Sequence, residues 1–156
     1  MNAHDYLIDH SSLDWNELLE EWDWLLPNKF SIWLLTRAGD LFIQLPDDSI
    51  MMLEVGGGEL NRVADSPEDF YLKLDEPDQA RDWFSIPVID DMTNEGHVLD
   101  SGRCFSYRHL PVLGGSYGIE NRVSFPIREH FGAWGSIHRQ IKDLPDGARV
   151  IIEATD

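Results

Sequence analysis

Residues 30–64 read FSIWLLTRAGDLFIQLPDDSIMMLEVGGGELNRVA. Runs of β-branched, aromatic and aliphatic residues alternate with turn-forming clusters, the pattern of short strands joined tightly. FSIWLLT and DLFIQL flank Arg37-Ala38-Gly39 and make a hairpin. Pro46-Asp47-Asp48 turns the chain into a third strand, Ser49 to Val55. Gly56-Gly57-Gly58 turns it again into a fourth, Glu59 to Ala64. This predicts an antiparallel meander. The triple glycine has the composition of a phosphate-binding loop, but neither Lys-Ser nor Lys-Thr follows and no helix opens behind it. It reads as a turn in which glycine supplies positive φ.

On the N-terminal side, residues 12–26 are expected to form an amphipathic helix capped by Ser11 or Ser12, with Asp14 in its first turn. Leu18, Trp22, Leu25 and Leu26 recur at helical spacing, and Pro27 ends the pattern. Trp15, Trp22 and Trp24 read as core and helix-docking residues ahead of an aromatic ligand site. On the C-terminal side, Ser66-Pro67-Glu68-Asp69 is a capped helix start running to about Leu74. Glu76-Pro77-Asp78 opens a second short helix carrying Trp83 and Phe84. Pro87 interrupts it, a further turn or two holds Val88 to Thr93, and Asn94-Glu95-Gly96 ends the region. The stretch RCFSYRHL from Arg103 reads as a strand, PVLGGSYGIEN as a loop, and VSFPI as a short strand limited by its proline. Residues 128–142 predict a longer helix with Phe131, Trp134, Ile137, His138 and Ile141 on one face. Pro145-Asp146-Gly147 reads as a turn and ARVII as a last strand. The expected class is α+β: a mostly antiparallel sheet with a strand meander, short acidic helices and a C-terminal helix packed on the sheet.

The chain has 156 residues, 29 Asp and Glu against 12 Lys and Arg, and a formal net charge of −17. Residues 1–100 hold 23 of the acids and five of the Lys and Arg, so the excess lies there. This argues against phosphate neutralisation on a nucleic acid and against an anionic membrane surface. One cysteine, Cys104, excludes an internal disulfide framework. With no apolar span and no basic-then-apolar leader, the expectation is a soluble cytoplasmic protein of one domain.

No catalytic constellation emerges. Cys104 and His109 lie five residues apart on or beside one strand, so they point to opposite faces. His130 and His138 are eight apart on one helix, near one face but without the i, i+4 spacing and third ligand that zinc needs. His138 falls on the apolar stripe and reads as a hydrogen-bonded core histidine. Neither the calcium-loop pattern nor the G-x-S-x-G elbow occurs. The expectation is a binding protein, not an enzyme, with no metal and no cofactor.

The stretch from Cys104 to Ile152 carries a more specific signal. Pro111-Val112-Leu113-Gly114-Gly115 with Tyr117, Glu120 and Asn121 is followed by Gly135, Ile137, His138 and Gln140 and by Ile141-Lys142-Asp143-Leu144-Pro145-Asp146-Gly147. With Gly39-Asp40-Leu41-Phe42, Gly58-Glu59-Leu60 and Val63-Ala64-Asp65, these residues resemble the C-terminal domain of bacterial type VI secretion immunity proteins. In that family the domain often follows a GAD-like domain. The resemblance runs over residues 30–152 of a single domain, 1–156, and residues 1–29 form an N-terminal helical segment too short for a GAD-like domain. It implies a non-catalytic protein that binds and neutralises a cognate secreted toxin, a type VI effector and often a DNase, in an inhibitory protein–protein complex. The motif residues themselves read as structural. Solvent-facing acids of the negative half are the expected contacts: Asp47, Asp48, Glu54, Glu59, Asp75, Glu76, Asp78, Asp90, Asp91 and Glu95, with Trp83 or Tyr71 as an aromatic anchor. The expected partner is a basic protein, possessing nuclease activity in the sharpest form of the reading. Rival readings are a non-toxin adaptor or regulatory module and a small hydrolase using His109 or His138.

Overall fold

In the computed structural model, which describes residues 3–144, the meander forms as its turn chemistry dictates. Strands β2 (Ser31–Thr36), β3 (Leu41–Gln44), β4 (Ile50–Glu54) and β5 (Glu59–Ala64) pair antiparallel in sequence order. A two-residue strand, β1 (Leu7–Ile8), adds to β2 as a fifth member, with Leu7 opposite Thr36. Two residues show no alternation, so the sequence does not announce it.

Alternation along the strands sends side chains to two cores. Leu41, Ile43 and Leu53 face one side, among Leu18, Leu19, Trp22, Ile127 and Phe131. Phe42 and Ile50 face the other, among Phe70, Trp83 and Phe84. All three residues Leu41 to Ile43 are therefore fully buried. Both faces of β3 are covered, which is why its run is continuously apolar.

The second face is covered by α2 (Pro67–Leu74) and α3 (Pro77–Phe84). Ser66 Oγ caps α2 by accepting the Asp69 N–H at 3.1 Å, and Pro67 takes the first helical position, as expected. The following helix, α4, runs Ile86–Asn94, so Pro87 does not interrupt it. Pro87 lies in its first turn, where a missing N–H costs nothing. The break falls at Ser85, in the left-handed region at φ 51°. Strands β6 (Arg103–Tyr107) and β7 (Arg122–Pro126) make a separate two-stranded ribbon, and α5 (Ile127–Ile141) follows directly. Ala38, Ile89, Met92 and Phe105 knit α4 to this ribbon. The architecture is α+β, with an antiparallel meander, short acidic helices and a long helix packed on the sheet. The proposed turn at 145–147 and the strand ARVII lie outside the described residues.

The N-terminal helix expected over 12–26 is not continuous. A four-residue α1 (Trp15–Leu18) is capped by Asp14, not Ser11 or Ser12, and a 3-10 turn covers Glu20–Trp22. The reason is tertiary. Trp22 and Trp24 stack with centroids 6.0 Å apart, and residues two apart cannot face each other on an α-helix. Trp22 is fully buried, its indole N–H donating to the Phe131 carbonyl at 2.8 Å.

Two imidazoles fasten α5 to the meander. His130 Nε2–H donates to the Gly39 carbonyl at 2.8 Å, since a carbonyl can only accept. That tautomer leaves Nδ1 to accept from Ser106 Oγ at 2.7 Å, while Ser106 Oγ accepts from Trp134 Nε1–H at 2.8 Å. His138 Nε2–H donates to the Val55 carbonyl at 2.7 Å, the hydrogen-bonded core role expected of it. Burial holds both rings neutral, pushing His130 down to about 4 and His138 below its ordinary value. Glycine is required opposite each ring. Gly39 (φ 87°) and Gly58 (φ 67°) are left-handed, and a Cβ on either would collide with the imidazole of His130 or His138 respectively.

Gly39→Ala and Gly58→Ala should each lower the unfolding free energy by about 2–4 kcal/mol, from unfavourable backbone conformation plus overpacking. Gly132→Ala, mid-helix in α5 with no atom close to its added Cβ, should leave stability unchanged or raise it by up to about 1 kcal/mol. Urea titration of the three variants checks this; equal effects would refute the docking role given to the two turn glycines.

Candidate partner-binding surface

The acids expected to contact a partner separate by environment. Glu59, Asp75, Glu76, Asp78 and Asp91 are exposed, and their carboxylates have no hydrogen-bond or ion-pair partner among the described residues. Asp75, Glu76 and Asp78 sit together where α2 passes into α3. Asp47, Asp48, Asp90 and Glu95 are exposed but engaged. Asp47 accepts from the Ser49 N–H at 3.0 Å and from its hydroxyl, which hold its carboxyl below the ordinary value. Asp48 takes φ 72° in the same turn. Asp90 accepts the Tyr6 hydroxyl at 2.7 Å, and Glu95 lies 3.8 Å from His97.

Glu54 departs from its expected place. It is half-buried on β4 and accepts the Tyr117 hydroxyl at 2.6 Å, a partner 63 residues away in sequence. Trp83 is also not an exposed anchor: it is 4% exposed and stacks on Phe70 at 4.8 Å. Tyr71 is 55% exposed, as expected, and neighbours the exposed Leu72. Cys104 is buried and its thiol is pushed up by burial, whereas His109 is exposed and donates to the Leu113 carbonyl at 2.9 Å. They form no nucleophilic pair.

The loop between β6 and β7 is organised by Asn121. Its Nδ2 donates to the carbonyls of His109 and Ser116, both at 2.6 Å, and its Oδ1 accepts the His109 N–H at 2.9 Å. Gly115 fits against the His109 carbonyl, where a Cβ has no room. This brings Tyr117 to the glycine turn of the meander. A Cβ on Gly56 would press on the Tyr107 hydroxyl at 2.8 Å, and one on Gly57 would meet Tyr117. Gly56 and Gly58 thus make room for Tyr107 and His138, while Gly57 lies in ordinary contact range of Tyr117.

Beneath Tyr117 a cleft of about 390 Å³ opens between the meander, the α3–α4 junction and the ribbon. Asp40, Met52 and Glu54 line one side; Arg81, Asp82, Ser85, Tyr107, Tyr117 and Arg122 line the other. Arg122 is buried with its guanidinium 4.2 Å over the Tyr107 ring, donating to the carbonyls of Ala38, Phe105 and Tyr117. Its donors are thus turned to backbone oxygens, and no ion pair to Asp40 forms within 4.0 Å. Asp40, 4% exposed, accepts the Val55 N–H at 3.1 Å through Oδ1. Burial raises its carboxyl to about 7, opposed by the Val55 N–H and by Arg122.

Residues 64–138 match the family model described as T6SS immunity protein Tdi1, C-terminal. This stretch is similar to that immunity domain, over just under half of the chain. No curated protein matches the chain. The matched stretch supplies α2 to α4, the ribbon and most of α5, including Tyr117, Asn121 and Arg122. The meander before it supplies Asp40 and Glu54, so the cleft lies on the seam. None of the described helices is long and apolar enough to cross a membrane.

Asp40 favours the protonated form when folded. Its stabilising contribution is present below pH 4, near the unfolded value, and is lost as pH rises through about 7. His130 works oppositely, its contribution present above about 6.5 and lost as pH falls toward 4. Asp40→Asn keeps an acceptor for the Val55 N–H and cannot ionise. Relative to the parent protein it should gain on the order of 1–3 kcal/mol between pH 4.5 and pH 8. Urea unfolding at the two pH values measures this, and a pH-independent difference would contradict the buried, titrating Asp40.

Proposed function

We propose that the protein neutralises a cognate secreted toxin by forming a stoichiometric inhibitory complex in the bacterial cytoplasm. The observation that carries this is the immunity-family match over residues 64–138. Charge supports it independently. Five unpaired acids project from turns and helix ends, and acidic residues outnumber Lys and Arg by 29 to 12 over the chain. An enzyme that handles a polyanion presents a basic active site, so a DNase effector fits this surface by electrostatic complementarity. The protein acts by binding, with no cofactor and no turnover of its own. We take residues 1–156 as one immunity-type domain, because the core that buries Leu41 and Leu53 of the meander also holds Ile127 and Phe131 of the matched stretch. Asp75, Glu76, Asp78, Asp91 and Glu59 are the leading contacts. Asp47, Asp48, Asp90 and Glu95 contribute field from engaged positions. An adaptor for a non-toxin partner is the second reading, and it uses the same acidic surface.

Co-expression in a susceptible bacterium with toxin candidates encoded beside the gene tests the proposal. Restored growth with one candidate, together with a stable complex of the purified pair, is the expected result. Protection from none, with a housekeeping protein captured instead, favours the adaptor. Within the complex, Asp75→Lys, Glu76→Lys and Asp78→Lys combined should slow association by about tenfold or more at low ionic strength and flatten its salt dependence. Unchanged association in stopped-flow measurements would remove the steering role of this face.

A further inference from the structure

The outer acids account for attraction, but complexes are usually held by a few buried anchors near the centre of the contact. Asp40 stands out in this respect. It is a carboxylate more than nine-tenths buried, yet only Oδ1 is engaged, by the Val55 N–H. Trp33 Nε1 is the sole fully enclosed side-chain donor or acceptor lacking a partner among the described residues. Oδ2 of Asp40, which has no hydrogen bond, is therefore not sealed in the interior and reaches the cleft that Asp40 lines. Two further acids, Glu54 and Asp82, stand around the same opening with the Tyr117 ring beside them. The two resident cations do not fill it: Arg122 spends its donors on backbone carbonyls, and Arg81 has no ion pair among the described residues.

We propose that this cleft is a receptor for one arginine side chain of the protein partner, its guanidinium held between Asp40, Glu54 and the Tyr117 ring. The proposal rests on the partner-binding reading above and names the anchor within it. A guanidinium suits the site better than an ammonium. It is planar and can bridge two carboxylates, it stacks against an aromatic ring, and it is the more weakly hydrated cation. The cleft volume is in the range of sites that enclose a small group, and too small for an element of folded structure. Ionised Asp40 then gains the donor it lacks in the free protein, so its burial is offset in the complex. Asp40 and Glu54 come from the meander, while Tyr117 and Asp82 come from the matched immunity stretch, so the anchor needs both parts folded together.

The test does not need the toxin. N-acetyl-L-argininamide is titrated into the ¹⁵N-labelled full chain, with N-acetyl-L-citrullinamide as the uncharged isostere. The expected result is saturable movement of the Val55, Gly56 and Tyr117 amide signals with the arginine probe only, weakened about tenfold in Asp40→Asn and in Glu54→Gln. Glu54→Gln, at the half-buried rim, serves as the second variant should Asp40→Asn perturb folding, and thermal unfolding of each is recorded. Equal responses to the two probes, or arginine-induced shifts confined to residues 75–78, would overturn the proposal; so would no saturable response at tens of millimolar. Once a toxin is in hand, Asp40→Asn and Glu54→Gln should speed dissociation of the complex about tenfold, whereas the outer charge reversals act on association. Absence of growth protection by the parent protein defeats the immunity reading and leaves the probe result standing. A silent cleft in a protecting protein defeats the anchor alone.

Discussion

The attachment of α5 to the meander depends on two neutral imidazoles. His130 and His138 reach from one helix to the carbonyls of Gly39 and Val55, which lie at successive turns at the same end of the sheet. Each is a donor that water would otherwise satisfy, so each bond is worth little net and a great deal when broken, because a buried carbonyl is then left without a partner. The consequence reaches beyond the helix. Holding Val55 and Gly39 fixes the backbone on either side of Asp40, whose carboxylate receives the Val55 N–H. Fixing the glycine turn fixes the floor against which Tyr107 and Tyr117 pack. The cleft is thus shaped by contacts made on the opposite side of the same backbone.

The meander was legible because its information is local. Turn residues at 37–39, 46–48 and 56–58 and the apolar runs between them specify strand ends within a few residues, without reference to the rest of the chain. The starts of α2 and α3 were legible for the same reason: Ser66 caps α2, and Pro67 and Pro77 take the first helical positions. The N-terminal segment failed because its periodicity reports which residues are buried and not how. Leu18 and Trp22 are both buried, but the Trp22–Trp24 stack demands a break that only the neighbouring α5 explains. At Pro87 the same proline chemistry was misplaced by one turn, since a proline in the first turn and a proline that ends a helix read alike until Ser85 is seen in the left-handed region.

The surface was half legible. Acids in turns and at helix ends are exposed because nothing local can bury them, and nine of the ten acids expected at the surface are indeed exposed. Glu54 was missed because the alternation of β4 assigns it to the face away from the α5 core, and only Tyr117 reveals that this face is roofed. Asp40 gave still less. An aspartate after a turn glycine is ordinary hairpin chemistry, and the cleft it lines is completed by Ser85, Val88, Tyr107 and Arg122, all more than forty residues away. Buried charge is a product of tertiary packing, so a single sequence carries no local mark of it.

These two classes of residue differ in what they permit. Asn121, His130, His138 and Arg122 each satisfy two or more backbone or side-chain groups or sit where replacement strands a buried partner, so changing them costs folding free energy. The carboxylates of Glu59, Asp75, Glu76, Asp78 and Asp91 have no hydrogen-bond or ion-pair partner among the described residues, and exposed substitutions of this kind are nearly neutral for stability. A fold arranged this way can exchange its outer charges, and with them the partner it attracts, without disturbing the scaffold. The family motif around Tyr117 and Asn121 belongs to the scaffold. On the proposed function, recognition then has two layers with different freedom. A steering field can be rewritten residue by residue. The cleft on the seam can change only with the packing that forms it.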